Sequence, residues 1–251
     1  LQVGTAIPEG AVAITFDGGD ISIYREAWPR LKALGLAFTV FVATDFIDAG
    51  GENYMSWDQL RELSSSGVAI GTLGASYSHL VALRESEAAA DIAQANQRFM
   101  DEIGIIPELF AYPFGEYSSN LQKIIARYGY SAAFGQHSGV IYRGADYLAL
   151  PRYSLVGSYS NMARFQTVVD TLPLPVADLM PIDPLVTNNP PSLGFTIIGD
   201  VGPLDDLACY LAQFGKLNIE QLGLSRIEVR FPDALPDGRS RVNCTLPGPG
   251  G

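Results

Sequence analysis

The stretch AVAITFDGGD, residues 11–20, runs from a short apolar segment into a turn of acids and glycines, and the rest of the fold reads outward from it. Ile14, Thr15 and Phe16 favour a strand, and Asp17, Gly18, Gly19 and Asp20 stop it. With 11–17 as the first strand, further strands are predicted at 37–43, 68–72, 109–113, 131–135 and 148–156. Between them, the spacing of Tyr24, Trp28, Leu31 and Leu34, of Leu60 and Leu63, and of Ile92, Ala95, Phe99 and Ile103 marks helix faces turned to a sheet. Gly35, Gly67, Gly104 and Gly129 fall where each helix should stop. This alternation, from residue 11 to about 172, predicts βα units around a parallel sheet or barrel.

In such a barrel the loops after the strands open on one face of a rigid scaffold, so functional side chains gather there. Asp17, Gly18, Gly19 and Asp20 follow the first strand, Asp45 the second, and Tyr77 and His79 the third. Phe114, Gly115, Glu116 and Tyr117 follow the fourth, His137 the fifth, and Arg152 and Tyr153 lie on the late strand. Strand ends are also polar simply where they meet water, and that plainer reading stands beside the functional one.

Several of these junctions carry a resemblance. Thr15, Phe16, Asp17, Gly18 and Gly19 are similar to the motif T-F-D-D-G of the NodB-homology polysaccharide deacetylases, and Ala111, Tyr112, Pro113, Phe114 and Gly115 to their R-x-P-Y-G. Leu150, Pro151 and Arg152 resemble the branch that processes poly-N-acetylglucosamine. The resemblance covers residues 11 to about 172 and implies an α/β fold, the distorted (β/α) barrel of that family. It also implies a hydrolase of carbon–nitrogen bonds acting on an N-acetylated glycan. Asp17 would take the place of the general base, and the backbone amide of Phe114 that of an oxyanion donor. The family's zinc or other divalent ion would be held by one Asp and two His four apart.

The second motif departs from that pattern. Laid without gaps, I-G-S-H-T-x-S-H-P-x-L puts Leu73 and Tyr77 at the two His positions, and Gly18 stands where the ligating Asp belongs. A gapped register makes His79 the second His and Ala75 the first. One imidazole without a carboxylate partner is not a first-row metal site, so the expectation here is no metal cofactor. Ala111 also replaces the Arg that orients the base. The candidate catalytic residues are Asp17 and His137; each also has a plainer role, Asp17 capping its own glycine turn and His137 as a solvated loop side chain. The candidate substrate-binding residues are Asp20, Asp45, Tyr77, His79, Tyr112, Phe114, Glu116 and Arg152. Asp20 and Asp45 could form an oxygen-rich site with Asp17 or be surface charge, and Glu116 could instead cap the helix that starts near Ser118. Trp57, at a helix start, reads first as core.

Beyond residue 172 the composition changes. Prolines 173, 175, 181, 184, 190 and 191 make 173–191 a linker, and short strands broken by turns at 192–198, 207–211, 216–222, 227–231 and 239–246 predict a small all-β, sandwich-like domain over 192–251. Cys209 and Cys244, the only cysteines, suit one disulfide of an exported protein, with two buried thiols as the alternative. A net charge of -11 disfavours nucleic acid and anionic lipid. No segment is apolar over the length needed to span a membrane, and residues from Leu1 onward carry no signal peptide; the expectation is a periplasmic or extracellular protein whose leader is absent. These features predict a glycan-binding pseudo-enzyme with a polysaccharide or oligosaccharide as partner. The alternatives are an active hydrolase of amide or acetyl-ester bonds with a rearranged or metal-free site, and a scaffold in a polysaccharide export or modification assembly.

Overall fold

The computed structural model describes Pro8 and residues 10–248. The chain forms two compact units, the first of Leu1–Gln136, Asp146–Leu150 and Leu155–Asp170, the second of His137–Ala145, Pro151–Ser154 and Thr171–Gly251.

In the first unit, strands β1 (Ile14–Gly18), β2 (Phe38–Val42), β3 (Ala69–Thr72), β4 (Leu109–Ala111) and β5 (Ala132–Phe134) form a parallel sheet in the order β1-β2-β3-β4-β5. Each strand neighbours the next in sequence, so the helices between them are crossovers. These are α1 (Trp28–Ala33), α2 (Thr44–Ala49), α3 (Trp57–Ser65), α4 (Glu85–Ile103) and α5 (Ser119–Arg127); α6 (Met162–Asp170) follows the sheet. The fold is the expected distorted (β/α) barrel. Strand β2, with sequence FTVFV, buries four of its five residues, as a parallel strand covered on both faces should. Helix α3 starts in a capping box: the Gln59 amide donates to the Ser56 hydroxyl at 3.3 Å, and the Ser56 amide donates to the Gln59 side chain at 2.9 Å. Helix α4 turns Ala88, Ile92, Ala95 and Phe99 inward, and full burial of a side chain the size of Ile92 or Phe99 contributes roughly 1.5–3 kcal/mol. The strand expected at 148–156 does not form. Leu150 makes a single parallel bridge to Phe134, and Pro151 beside it has no N–H to continue the ladder.

In the second unit, β6 (Val176–Met180), β7 (Leu193–Ile197), β8 (Ala208–Leu211), β9 (Gly215–Leu222), β10 (Arg226–Arg230) and β11 (Val242–Thr245) form an antiparallel sheet ordered β11-β8-β9-β10-β7-β6. The long strand β9 pairs with β8 through residues 215–217 and with β10 through 218–222. Side chains from both halves, among them Ile197, Leu211, Leu217 and Ile227, share one core, which is the sandwich-like arrangement of a strand serving two sheet halves. Cys209 and Cys244 face each other across β8 and β11 and are joined by a disulfide. Strand β6 lies inside the stretch expected to be a linker. Pro173 and Pro175 precede it and Pro181 and Pro184 follow, leaving a proline-free segment at the sheet edge, where only one side needs donors.

Candidate functional site

Five rings form a continuous row at the C-terminal ends of β1 to β4. Tyr54 stacks on Phe46 with centroids 4.8 Å apart, Phe46 meets Tyr77 at 5.7 Å, Tyr77 meets Phe114 at 4.8 Å, and His79 lies flat on Phe114 at 4.1 Å. From Tyr54 to Phe114 the row follows the sheet order, and His79 reaches across from the loop after β3 to Phe114. Tyr54 is bridged to Asp20, just past β1; Phe46 follows β2; Tyr77 and His79 follow β3; Phe114 follows β4. The four carbocyclic rings are half-buried and the imidazole is exposed, so the row is neither core nor free surface.

Two of the rings sit on strained backbone. Tyr77 has φ 54° and Phe114 has φ 58°, the left-handed region that costs a bulky L-residue roughly 1–2 kcal/mol. The surroundings hold both in place. The Asp91 carboxylate of α4 accepts the amides of Ala75 at 2.8 Å and Ser76 at 2.9 Å, fixing the chain into Tyr77. After Phe114, Gly115 has φ 72°, and a Cβ there would lie 2.4 Å from the Gln136 backbone nitrogen, so only glycine closes that turn. Strain of this kind persists where the fold over-determines it, commonly at ligand-binding positions.

Polar groups flank the row. His79 Nδ1 lies 2.7 Å from a Glu116 carboxylate oxygen. The helix-capping role weighed for Glu116 belongs instead to Ser118, whose hydroxyl accepts the Leu121 amide at 3.1 Å. Asp45, beside Phe46, accepts a hydrogen bond from the Gln94 side chain at 2.8 Å. Burial, then the nearby Asp91 and Asp48 carboxylates, hold its carboxyl above the usual range against the Gln94 bond. Asp20 is exposed and caps its own turn through the Ser22 amide at 2.8 Å; hydrogen bonds from the Ser22 hydroxyl and amide hold its carboxyl below the usual range. Asp17 is half-buried on β1 at the same edge of the sheet.

Two other aromatics have structural roles. Tyr112 is fully buried among Phe110, Leu121 and Ile124 and donates its hydroxyl to the Leu148 carbonyl at 2.8 Å, so it is a core residue and not part of a binding face. Trp57 donates its indole N–H to Asp48 and meets Phe99 edge-on, a structural role. His137 and Arg152 belong to the second unit, where the Arg152 amide donates to the His137 carbonyl at 3.0 Å. Phe46 and Tyr54 were missed by sequence reasoning; the only signal was the aromatic one residue after Asp45.

A family model described as polysaccharide deacetylase matches residues 5–133, just over half of the chain. The chain belongs to the polysaccharide deacetylase family. A Bacillus subtilis (strain 168) protein, YxkH, whose name places it among polysaccharide deacetylases, is 25% identical to this deacetylase-family chain over 155 residues, 62% of this chain and 55% of that relative. The match therefore spans about half of the relative's length. Among solved structures, IcaB from Ammonifex degensii shares 27% identity at a TM-score of 0.60, covering 66% of this chain and 76% of its own. The Streptococcus pyogenes deacetylase PplD, in complex with acetate, shares the fold at a TM-score of 0.62 and 19% identity, covering 68% and 75%.

Membership corrects one expectation. The chain was expected to have no metal cofactor, but its family consists of metal-dependent deacetylases, and a divalent ion belongs to any account of it. In the ungapped register, the residues at the three motif positions do not fit such an ion. Gly18 offers no side chain, Leu73 is fully buried in an apolar cluster with Phe41, Ala43 and Ala111, and Tyr77 is packed between Phe46 and Phe114. Among the described residues, no three His, Cys, Asp or Glu side chains are grouped to share an ion.

Proposed function

We propose that the first unit binds a polysaccharide of N-acetylated amino sugars along the row Tyr54–Phe46–Tyr77–Phe114–His79, and that N-deacetylation by the family's usual three-ligand arrangement is lost. The row is the observation that carries this reading. Sugar rings present apolar C–H faces that pack on aromatic faces, and five rings at one sheet edge, two of them held at a cost in backbone energy, suit an extended ligand. Gly18, Leu73, Tyr77 and Ala111 at motif positions support the loss of hydrolysis there, and the proposal leaves the family's metal in the account. The Cys209–Cys244 disulfide supports an exported protein, periplasmic or extracellular. Among the described residues, no helix is long and apolar enough to cross a membrane.

The test is calorimetric titration of the whole chain with N-acetylglucosamine oligosaccharides, alongside Phe46→Ala and Tyr77→Ala. Each substitution should weaken binding roughly five- to tenfold, the worth of one aromatic contact. Unchanged affinity in both variants, with their circular dichroism intact, would overturn the proposal. A second reading, a hydrolase of amide or acetyl-ester bonds with a rearranged site, is favoured by the His79–Glu116 pair, since a carboxylate-held imidazole is a common general-base arrangement. Acetate release that disappears in His79→Gln would establish it.

A further inference from the structure

Resting on the glycan-binding reading, we infer that the ring row selects amino sugars whose nitrogen carries a positive charge, so that a partly de-N-acetylated stretch is held more tightly than a fully N-acetylated one. The row does not end in neutral surface. At one end the imidazole lies flat on Phe114, with the Glu116 carboxylate on its Nδ1; nearer the other, Asp45 precedes Phe46 in α2 and its carboxylate accepts from Gln94 of α4. An ammonium group is attracted both by ring faces and by a carboxylate beside them, whereas the neutral N-acetyl amide gains only face packing. The strand-end segments 17–24, 43–56, 73–83 and 112–118 contain no Lys or Arg, and the whole chain carries a net charge of -11. Asp45, already crowded by Asp91 and Asp48, would be relieved by a cation next to it. The same acid-and-aromatic surroundings would be poorly matched to an anionic glycan.

The experiment compares glucosamine and N-acetylglucosamine oligosaccharides of equal length and linkage, titrated into the whole chain at a pH where the free amines are protonated. The glucosamine oligomer should bind at least roughly fivefold more tightly, the scale of a partly exposed cation–π or ion-pair contact. Added salt should narrow that gap, because exposed charges are screened. The gap should close in Glu116→Gln combined with Asp45→Asn. Equal affinities, a preference for the N-acetylated oligomer, or a gap that survives the double substitution would each overturn the inference while leaving glycan binding intact. Binding of neither oligomer would sink the glycan reading, and the inference with it.

Discussion

The two units of the chain handle energy in opposite ways. The second unit, a six-stranded antiparallel sheet around a small core, is cross-linked by Cys209 and Cys244 at directly paired positions of β8 and β11. The first unit has no disulfide and a larger core, yet at one edge of its sheet it keeps two aromatics in left-handed backbone and a carboxyl group raised by burial and by like charges. A small core invites a covalent staple, while a large one can tolerate costly residues where a ligand binds. Stability is thus added in one unit and given up locally in the other.

The largest effect should come from removing the staple. Closing a 34-residue loop restricts the unfolded chain by roughly 3–4 kcal/mol, so reduction should lower the unfolding temperature of the second unit in scanning calorimetry. An unshifted transition would break the comparison at that side. Next in size is Asp91→Ala, which strips the acceptors from the Ala75 and Ser76 amides and should cost about 1–3 kcal/mol in urea unfolding. It should also weaken oligosaccharide binding, because Tyr77 loses the turn that positions it.

The barrel was legible because its signals are local. Short apolar runs ended by Gly and Asp marked β1 to β5, and the spacing of Ile92, Ala95 and Phe99 marked α4. The prediction over 148–156 gave too little weight to Pro151, and the linker reading overlooked the proline-free residues of β6. The site was legible only in part. Tyr77, His79, Phe114 and Glu116 are candidates from their places after β3 and β4 alone, whereas the contacts of Phe46 and Tyr54 with that group arise only once the chain is folded. Tyr112 was misassigned for a related reason. It and Phe114 are two residues apart and would share a face in a continued strand, but the left-handed turn at Phe114 sends one ring to the core and the other to the row.

The backbone strain offers a sharper test. Tyr77→Gly and Phe114→Gly relieve an unfavourable φ while deleting a ring, so stability should change by less than about 1 kcal/mol as oligosaccharide affinity falls several-fold. Large destabilisation without loss of affinity would show that these rings serve the core. The smallest effect concerns Asp45. Its carboxyl is raised in the folded chain above the ordinary value of 3.8, so the folded state holds its proton longer and loses stability as pH rises through that window. Asp45→Asn should therefore be slightly stabilising at neutral pH and indistinguishable from the parent below the ordinary carboxyl range, as measured by thermal unfolding at both pH values.

The central claim is glycan binding at the strand ends without the family's hydrolysis. It is tested most directly by incubating the whole chain with N-acetylglucosamine oligosaccharides in zinc-supplemented buffer and measuring bound ligand and released acetate in the same samples. The account predicts saturable binding and acetate no higher than in samples without protein. Acetate that accumulates in proportion to the chain, or the absence of any binding, would contradict it.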